Sequence, residues 1–173
     1  MHPVSAGALP EQAYLRRYLH DGAYADCYRT EVALAVSQAG YIEAFYTTWL
    51  FKLERWLLAR LAARPSTDAQ ARQLADGSLD RFAAWSVERQ DGAQLLLCDF
   101  RGRTRSWLMA APVPSEPART RLYFGSAVVP LLDRASGKRR LGWTFSALLG
   151  FHRLYSRALL KAAARRLARG RAA

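Results

Sequence analysis

The sequence predicts an α+β domain in which an antiparallel sheet packs against helices. Apolar residues alternate with a period of two over residues 23–32 and again in four ranges between 82 and 129, as in half-buried strands. Between these regions and after residue 143 the apolar period is three to four, as in amphipathic helices. Short turns separate the later strand ranges, which is typical of antiparallel hairpins. At 173 residues and 51% hydrophobic content, we expect one domain over 1–173, with an ordered body over 23–169 and peripheral residues at 1–20 and 170–173.

The first predicted strand covers residues 23–32, where Tyr, Thr and Val are enriched. Its even-numbered residues from Tyr24 to Val32 share one face. Turns at 90–92 and 101–103 join the next three strands, and prolines over 112–117 predict a loop before the last. These four later strands are predicted over residues 82–89, 93–100, 104–111 and 121–129.

A long helical stretch follows the first strand. Ser37 or Gly40 begins it and Arg64-Pro65 ends it. Because helices average only about 10–14 residues, we expect a break near Thr47-Thr48. The spacing of Thr67 and Gln70 is that of a capping box, which begins a short third helix. Eight apolar residues predict one buried stripe along the long stretch: Ile42, Phe45, Tyr46, Trp49, Leu50, Leu53, Leu57 and Leu61.

The last predicted helix covers residues 143–169 and has two stripes. The basic stripe recurs every four residues and is expected to face solvent: Arg153, Arg157, Lys161, Arg165 and Arg169. The apolar stripe is expected to lie against the sheet: Phe145, Leu148, Leu149, His152, Tyr155, Leu159, Ala163 and Leu167.

The net charge of +12 is concentrated at the C-terminal end. All 14 acidic residues lie at or before Asp133, whereas eleven of the 26 basic residues follow it. A concentrated cationic patch attracts anions through its local potential. The alternative is a basic face that is only solvated.

Compartment signals favour the cytoplasm. Residues 1–10 lack the charged and apolar regions of a signal peptide. The apolar stretch over 41–63 contains five charged residues, each of which would cost about 2.5–3.5 kcal/mol inside a bilayer. Cys27 and Cys98 lie far apart in strand-like runs, so each is interpreted as a buried free thiol. We therefore expect a soluble cytoplasmic protein, with a peripheral membrane location as the alternative.

Four segments carry a resemblance to a known family: YADCYRTEV, FYTTWLFKLERWLLARL, the strand around Trp85, and GWTFSALLGFHRLYSRALL. In this order they resemble a bacterial family of unknown function related to the START and polyketide-cyclase superfamily. The resemblance covers about Tyr24 to Leu167. It implies the helix-grip fold, in which a curved antiparallel sheet wraps around a long C-terminal helix and two or three helices follow the first strand. It also implies an apolar space between sheet and helix.

Motifs for a cofactor, a metal or a nucleophile are absent from the sequence. There is no glycine-rich nucleotide loop, no GxSxG elbow and no zinc or calcium spacing, so we predict no cofactor and no metal. His152 is the one histidine inside a predicted element, and it is a candidate general acid/base or ligand anchor. The alternative is a core histidine. Asp99 and Arg105 flank the turn at 101–103, and we expect them to face each other across two strands.

Two candidate sites follow. The predicted ligand pocket combines aromatic and polar residues near the last helix: Trp49, Trp85, Asp99, Arg105, Trp107, His152 and Tyr155. The predicted anion-binding face is the exposed basic stripe: Arg153, Arg157, Lys161 and Arg165. The alternative interpretation of the aromatic residues is ordinary core.

We predict that the domain binds a small hydrophobic molecule or lipid without catalysing a reaction. The first alternative is an anionic membrane surface or nucleic acid bound by the basic last helix. Nucleic acid is disfavoured because no zinc-finger, helix-turn-helix or RNP signature is present. The second alternative is a cyclase- or hydrolase-like enzyme that uses His152. The sequence leaves a homodimer open.

Overall fold

The computed structural model has an α+β fold in which helices pack on one face of an open antiparallel sheet. It describes residues 2–21, 23–61, 63–132, 139–140 and 143–170, without the side chains of 20–21, 131–132, 139–140 and 143–148. The elements in chain order are β1 (Ser5–Ala6), a 3-10 helix (Tyr14–Asp21), β2 (Tyr24–Val32), α1 (Gln38–Tyr46), α2 (Trp49–Leu61), α3 (Asp68–Ala75), β3 (Arg81–Phe82), β4 (Trp85–Gln90), β5 (Gln94–Asp99), β6 (Thr104–Val113), β7 (Glu116–Val128), β8 (Leu131–Leu132), β9 (Arg139–Arg140) and α4 (Trp143–Gly170).

Seven strands form the main sheet in the order β1-β2-β7-β6-β5-β4-β3. Strands β3 to β7 are a meander of sequential neighbours, whereas β2 pairs with the last of them over its whole length. The register pairs Tyr24 with Val128 and Val32 with Thr120. Strands β8 and β9 pair separately from the main sheet, and residues 133–138 and 141–142 lie outside the described ones.

The expected loop over 112–117 is instead a tight hairpin. Val113 of β6 pairs with Glu116 of β7, so both strands run further than predicted. Pro114 and Ser115 form the two-residue turn, and Ser115 has a φ of +67°. Proline is common both in tight turns, where it precedes a residue with positive φ, and in longer loops. The prolines alone therefore do not distinguish a hairpin from a loop.

The predicted break in the long helical stretch is confirmed at Thr47-Thr48. The Thr47 hydroxyl donates to the carbonyl of Glu43 at the end of α1, 2.6 Å away. The Thr48 hydroxyl accepts the backbone N–H of Phe51 at 3.2 Å and so caps the start of α2. The capping box of α3 is also confirmed, with Thr67 and Gln70 bonding reciprocally.

The main core lies between the sheet and helices α1, α3 and α4. Even-numbered residues of β2, β6 and β7 point to this helix face, among them Tyr28, Leu108 and Phe124. Phe45 of α1 packs on Phe124 with ring centroids 4.9 Å apart. The inner side of α4 is closely packed: Leu159, Leu160, Ala163 and Ala164 are all buried. This confirms the predicted orientation of the C-terminal half of α4; Phe145 and Leu148 lie outside the described side chains.

The opposite face of the sheet is covered by the N-terminal residues, which we expected to be peripheral. Leu15 in the 3-10 helix is fully buried there together with Cys27 and Trp107. A Cβ atom on Gly125 would approach the Asp26 carbonyl oxygen to 2.8 Å and Leu15 to 3.0 Å, so glycine permits this close packing. Burial raises the pKa of the Cys27 thiol to about 12. Cys98 is half-buried, and both cysteines are free.

Candidate functional site

Two residues of the predicted pocket, Trp107 and Arg105, lie on the face of the sheet opposite the helices. Trp107 is fully buried under the N-terminal segment, where its indole N–H donates to Gln94 at 2.8 Å. Arg105 shares that face, because residues two apart on a strand point the same way. The sequence predicted a strand here but could not say which of its faces the helices cover.

The expected pairing of Asp99 with Arg105 is also wrong. The register places Arg105 opposite Cys98, one residue away from Asp99, so the two side chains point to opposite faces. Asp99 instead accepts the backbone N–H groups of Arg103 and Thr104 at 2.6 and 2.9 Å and closes the turn. The Arg105 guanidinium donates to Glu88 at 3.0 Å. Both residues therefore have structural partners.

The remaining aromatic candidates are dispersed. Trp85 is partly buried at the β3 edge of the sheet, where it packs against the main core. Trp49 is at the first turn of α2 and is 72% exposed. Tyr155 of α4 donates its hydroxyl proton to Glu54 of α2 at 2.5 Å. The structure therefore does not bring the predicted pocket residues together.

His152 lies in a polar cluster with two residues that the sequence analysis did not name. Asp26 and Ser126 are partners across β2 and β7 and both point to the helix face. The Ser126 hydroxyl donates to Asp26 at 2.7 Å. His152 Nε2 lies 2.7 Å from the Ser126 hydroxyl oxygen and 3.4 Å from the Asp26 carboxylate. The available signal was a carboxylate on the apolar face of the first strand.

The electrostatics of this cluster favour an ionised Asp26. Burial acts to raise the pKa of the carboxyl group, but the hydrogen bonds from His152 and Ser126 and the charge of His152 outweigh burial. The net pKa of Asp26 is therefore below its usual value.

The cluster has the composition of a catalytic triad but a different geometry. In a serine relay the carboxylate binds Nδ1 of the histidine, which leaves Nε2 free to take the serine proton. Here the carboxylate and the serine both lie beside Nε2, and Ser126 is almost fully buried. This arrangement attaches α4 to β2 and β7 and does not activate Ser126 as a nucleophile.

Helix α2 presents its apolar residues outward, contrary to the predicted stripe. Only Phe51 and Arg55 of this helix are buried. The Arg55 guanidinium donates to the Asp68 carboxylate and to the Ser66 carbonyl, both at 2.6 Å. The exposed apolar residues of α2 are Trp49, Leu53, Trp56, Leu57 and Leu61. The break at Thr47-Thr48 changes the helix phase, so the stripe does not continue inward from α1 to α2.

Helix α4 extends this apolar surface and adds the charges. Phe151 and Leu154 are 67% and 69% exposed. Phe151 stacks on Tyr155, which contacts α2 through Glu54. Leu154 lines a shallow depression with Pro3 and Val4 of the N-terminal segment, and Lys161 lines both this depression and the groove beside α2. We call the combined surface the α2–α4 face: Trp49, Leu53, Trp56, Leu57, Leu61, Phe151, Leu154, Lys161, Arg165 and Arg169.

The predicted basic stripe is exposed as expected, and it has two parts. Arg153 and Arg157 lie over the rings of Tyr24 and Tyr28 on β2. Lys161 and Arg165 instead border a groove of about 730 Å³ next to Trp49. The second part of the stripe therefore adjoins the exposed apolar residues.

Few negative charges lie near the α2–α4 face. Glu54 is the single acidic residue within the sequences of α2 and α4. Burial raises its pKa, and the hydrogen bond from Tyr155 only partly offsets this effect. The two helices therefore carry a single carboxyl group against the several cations of α4.

Metal and membrane-span signatures are absent from the part of the chain that the structure describes. No three of its His, Cys, Asp or Glu residues are grouped so that they could hold a metal ion. None of its helices combines the length and apolar content that crossing a bilayer requires.

Comparison with family models, with curated protein sequences and with solved structures finds no match to this chain. The START-like resemblance therefore stays a prediction based on the segments quoted above.

Proposed function

We propose that this protein binds the surface of anionic membranes through the α2–α4 face. One observation carries the proposal: seven large apolar side chains stand exposed on two neighbouring helices, beside a row of cations. Scattered apolar residues are ordinary on protein surfaces, but a contiguous group with a polar rim marks an interaction site.

The chemistry of the face suits a bilayer interface. Trp49 and Trp56 are residues that prefer the boundary between headgroups and acyl chains. Full burial of a large apolar side chain is worth about 1.5–3 kcal/mol, and each Lys or Arg near an anionic leaflet adds about 1 kcal/mol. Partial insertion of a few side chains with two or three cations therefore supplies enough energy for reversible binding.

A second copy of the chain fits this surface less well. A symmetric dimer places the same patch of both copies face to face. The cations Lys161, Arg165 and Arg169 of the two copies would then repel each other, whereas anionic lipid headgroups neutralise them. A nucleic acid would satisfy the charges but leave the apolar row in water.

The proposal also covers the type of fold and the side of the membrane on which the protein works. We propose a helix-grip arrangement, which is supported by the pairing of β2 with the last meander strand and by α4 lying on the same face as the inserted helices. The anionic leaflet of a cell membrane is the cytoplasmic one, and two free cysteines suit that compartment. We therefore propose that the protein works at the cytoplasmic side.

Vesicle flotation tests the proposal. The protein should float with phosphatidylcholine vesicles that contain phosphatidylserine and much less with phosphatidylcholine alone. The double variant Leu53→Ser with Trp56→Ser should lose flotation and keep its fold, because both side chains are about half exposed and lie outside the core. Lys161→Gln with Arg165→Gln should lose the preference for phosphatidylserine.

A matched control is Leu19→Ser. Leu19 is 43% exposed, but it lies in the 3-10 helix on the opposite face of the sheet. This variant should float like the original protein. Equal flotation with both kinds of vesicle, or flotation of the Leu53/Trp56 variant at the original level, would show that the α2–α4 face is not a membrane site.

A further inference from the structure

We infer that the groove between α2 and α4 is a binding site for one anionic amphiphile with a single alkyl chain. The inference rests on the proposed function, because a membrane surface is the source of such a molecule. It goes further by assigning a specific ligand site within the α2–α4 face.

The groove exists because small residues of α4 lie opposite large residues of α2. Ala158 and Ala162 are one turn apart and form its floor, and Trp49 and Leu50 form one wall. Both alanines are half-buried. The volume of about 730 Å³ lies within the range of about 300–1,000 Å³ that is usual for ligand sites. The helix pair therefore has room for an alkyl chain.

A row of cations borders this apolar floor. Lys161, Arg165 and Arg169 recur every four residues, so they lie on one side of α4, and all three line the groove. Among the described residues, no carboxylate lies within salt-bridge distance of these three side chains. Within the described part of the chain, the row therefore places cations without carboxylate partners beside an apolar cleft.

The apolar floor and the row of cations together indicate the class of ligand. A carboxylate or phosphate head can accept hydrogen bonds from the lysine and arginine side chains, while its alkyl chain covers Ala158, Ala162 and the Trp49 ring. Inorganic phosphate would interact with the cations but would leave the apolar floor uncovered. A neutral or cationic amphiphile would cover the floor but would leave the cations without a negative partner. The combination favours an amphiphile with a negative head.

The test is a calorimetric titration of the 173-residue chain with dodecyl phosphate, at concentrations below those at which it forms micelles. Inorganic phosphate and dodecyltrimethylammonium are the comparison ligands. Dodecyl phosphate should bind at least tenfold more tightly than either one. Comparable binding of inorganic phosphate or of the cationic amphiphile would overturn the inference.

A groove-filling variant, Ala162→Phe, provides the decisive comparison. It should weaken dodecyl phosphate binding at least tenfold, whereas the control Ala168→Phe, on an exposed position of α4 outside the groove, should change it less than twofold. Circular dichroism checks that both variants are folded. Unchanged binding by a folded Ala162→Phe would also overturn the inference.

Membrane binding is measured separately on the same variants. Ala162→Phe should float with anionic vesicles as before, because the exposed residues of α2 are intact. Leu53→Ser with Trp56→Ser should lose flotation and still bind dodecyl phosphate, since neither residue lines the groove. Failure of the groove site and failure of the membrane proposal thus give different results.

Discussion

Helices α1 and α2 are both apolar and are separated only by Thr47-Thr48, yet they have opposite relations to the core. Six of the nine residues of α1 are buried, against two of the thirteen of α2. Helix α1 packs beside α4 on the sheet, and its Gln38 side chain bonds to the backbone of β6 at Leu108 and Ala110. Helix α2 turns an arginine inward and its tryptophans outward. The difference shows that apolar content does not decide burial; the helix phase after the break does.

The largest expected loss of stability comes from a core residue of α1. Phe45→Ala removes a buried ring from α1 and should reduce the free energy of unfolding by about 3–5 kcal/mol. Trp56→Ala removes a larger ring from α2 and should cost about 1 kcal/mol or less, because the side chain is 54% exposed. Urea unfolding curves measure both. Similar losses in the two variants would place the outer side of α2 in the core.

The next effect concerns the inward arginine of α2. Arg55→Ala removes charge-assisted hydrogen bonds to Ser66 and Asp68 and should cost about 1.5–3 kcal/mol. Lys52→Ala is the matched control, since Lys52 pairs with the same carboxylate but is half exposed, and it should cost less than about 1 kcal/mol. Thermal unfolding of the two variants compares them directly. Equal costs would mean that Arg55 does not anchor α2.

A third prediction extends the comparison to the polar attachment of α4. Asp26→Asn should cost about 1–3 kcal/mol at pH 7, because it weakens the hydrogen bonds of Ser126 and His152. The folded pKa of Asp26 is lowered, so the carboxylate stabilises the fold above its ordinary pKa of 3.8. This stabilisation is lost as the pH falls through the lowered folded value.

Unfolding curves at several pH values check this prediction. The original protein should lose stability relative to Asp26→Asn as the pH falls below about 4. Asp80→Asn, which changes an exposed carboxylate, should leave the pH profile unaltered. A constant difference between the original protein and Asp26→Asn at all pH values would contradict the role given to Asp26.

The smallest expected effect is a gain in the free energy of unfolding at neutral pH. The folded pKa of Glu54 is raised, so its contribution to stability is complete below the ordinary pKa of 4.5 and is lost as the pH rises through the folded value. Glu54→Gln keeps an acceptor for Tyr155 and should raise stability at pH 7 by less than about 1 kcal/mol. The gain should vanish near pH 4. Glu43→Gln, whose carboxylate pairs with Arg72, should show no such gain.

Local patterns were sufficient to predict the α-helices and the longer strands, but not β1, the 3-10 helix or the β8–β9 pair. The break at Thr47-Thr48, the capping box at Thr67 and the long last helix depend on neighbouring residues, and all three are confirmed. The four later strands were predicted because alternation has a period of two wherever one face is buried. The hairpin at Pro114-Ser115 was missed because proline suits both tight turns and loops.

The arrangement of the candidate site depends on strand register and on the pairing of distant strands, which local sequence patterns do not specify. Whether Trp107 or Leu108 faces the helices is a matter of one residue of register, and a strand pattern is equally compatible with both. Asp26 and Ser126 are a hundred residues apart and meet only through the pairing of β2 with β7. The exposed basic stripe of α4 was predictable, because its period is local. The outward phase of α2 was not.

The pairing of β2 with β7 also sets a delay during synthesis. Strand β2 is complete at Val32, but its main partner is complete only at Val128. At a synthesis rate of about 5–20 residues per second, the strand waits roughly 5–20 seconds with its edge unpaired. The sheet therefore cannot close while the chain is growing through the meander. Any factor that protects the nascent protein from misassembly should act on the first forty residues and release them only after β7 has left the ribosome.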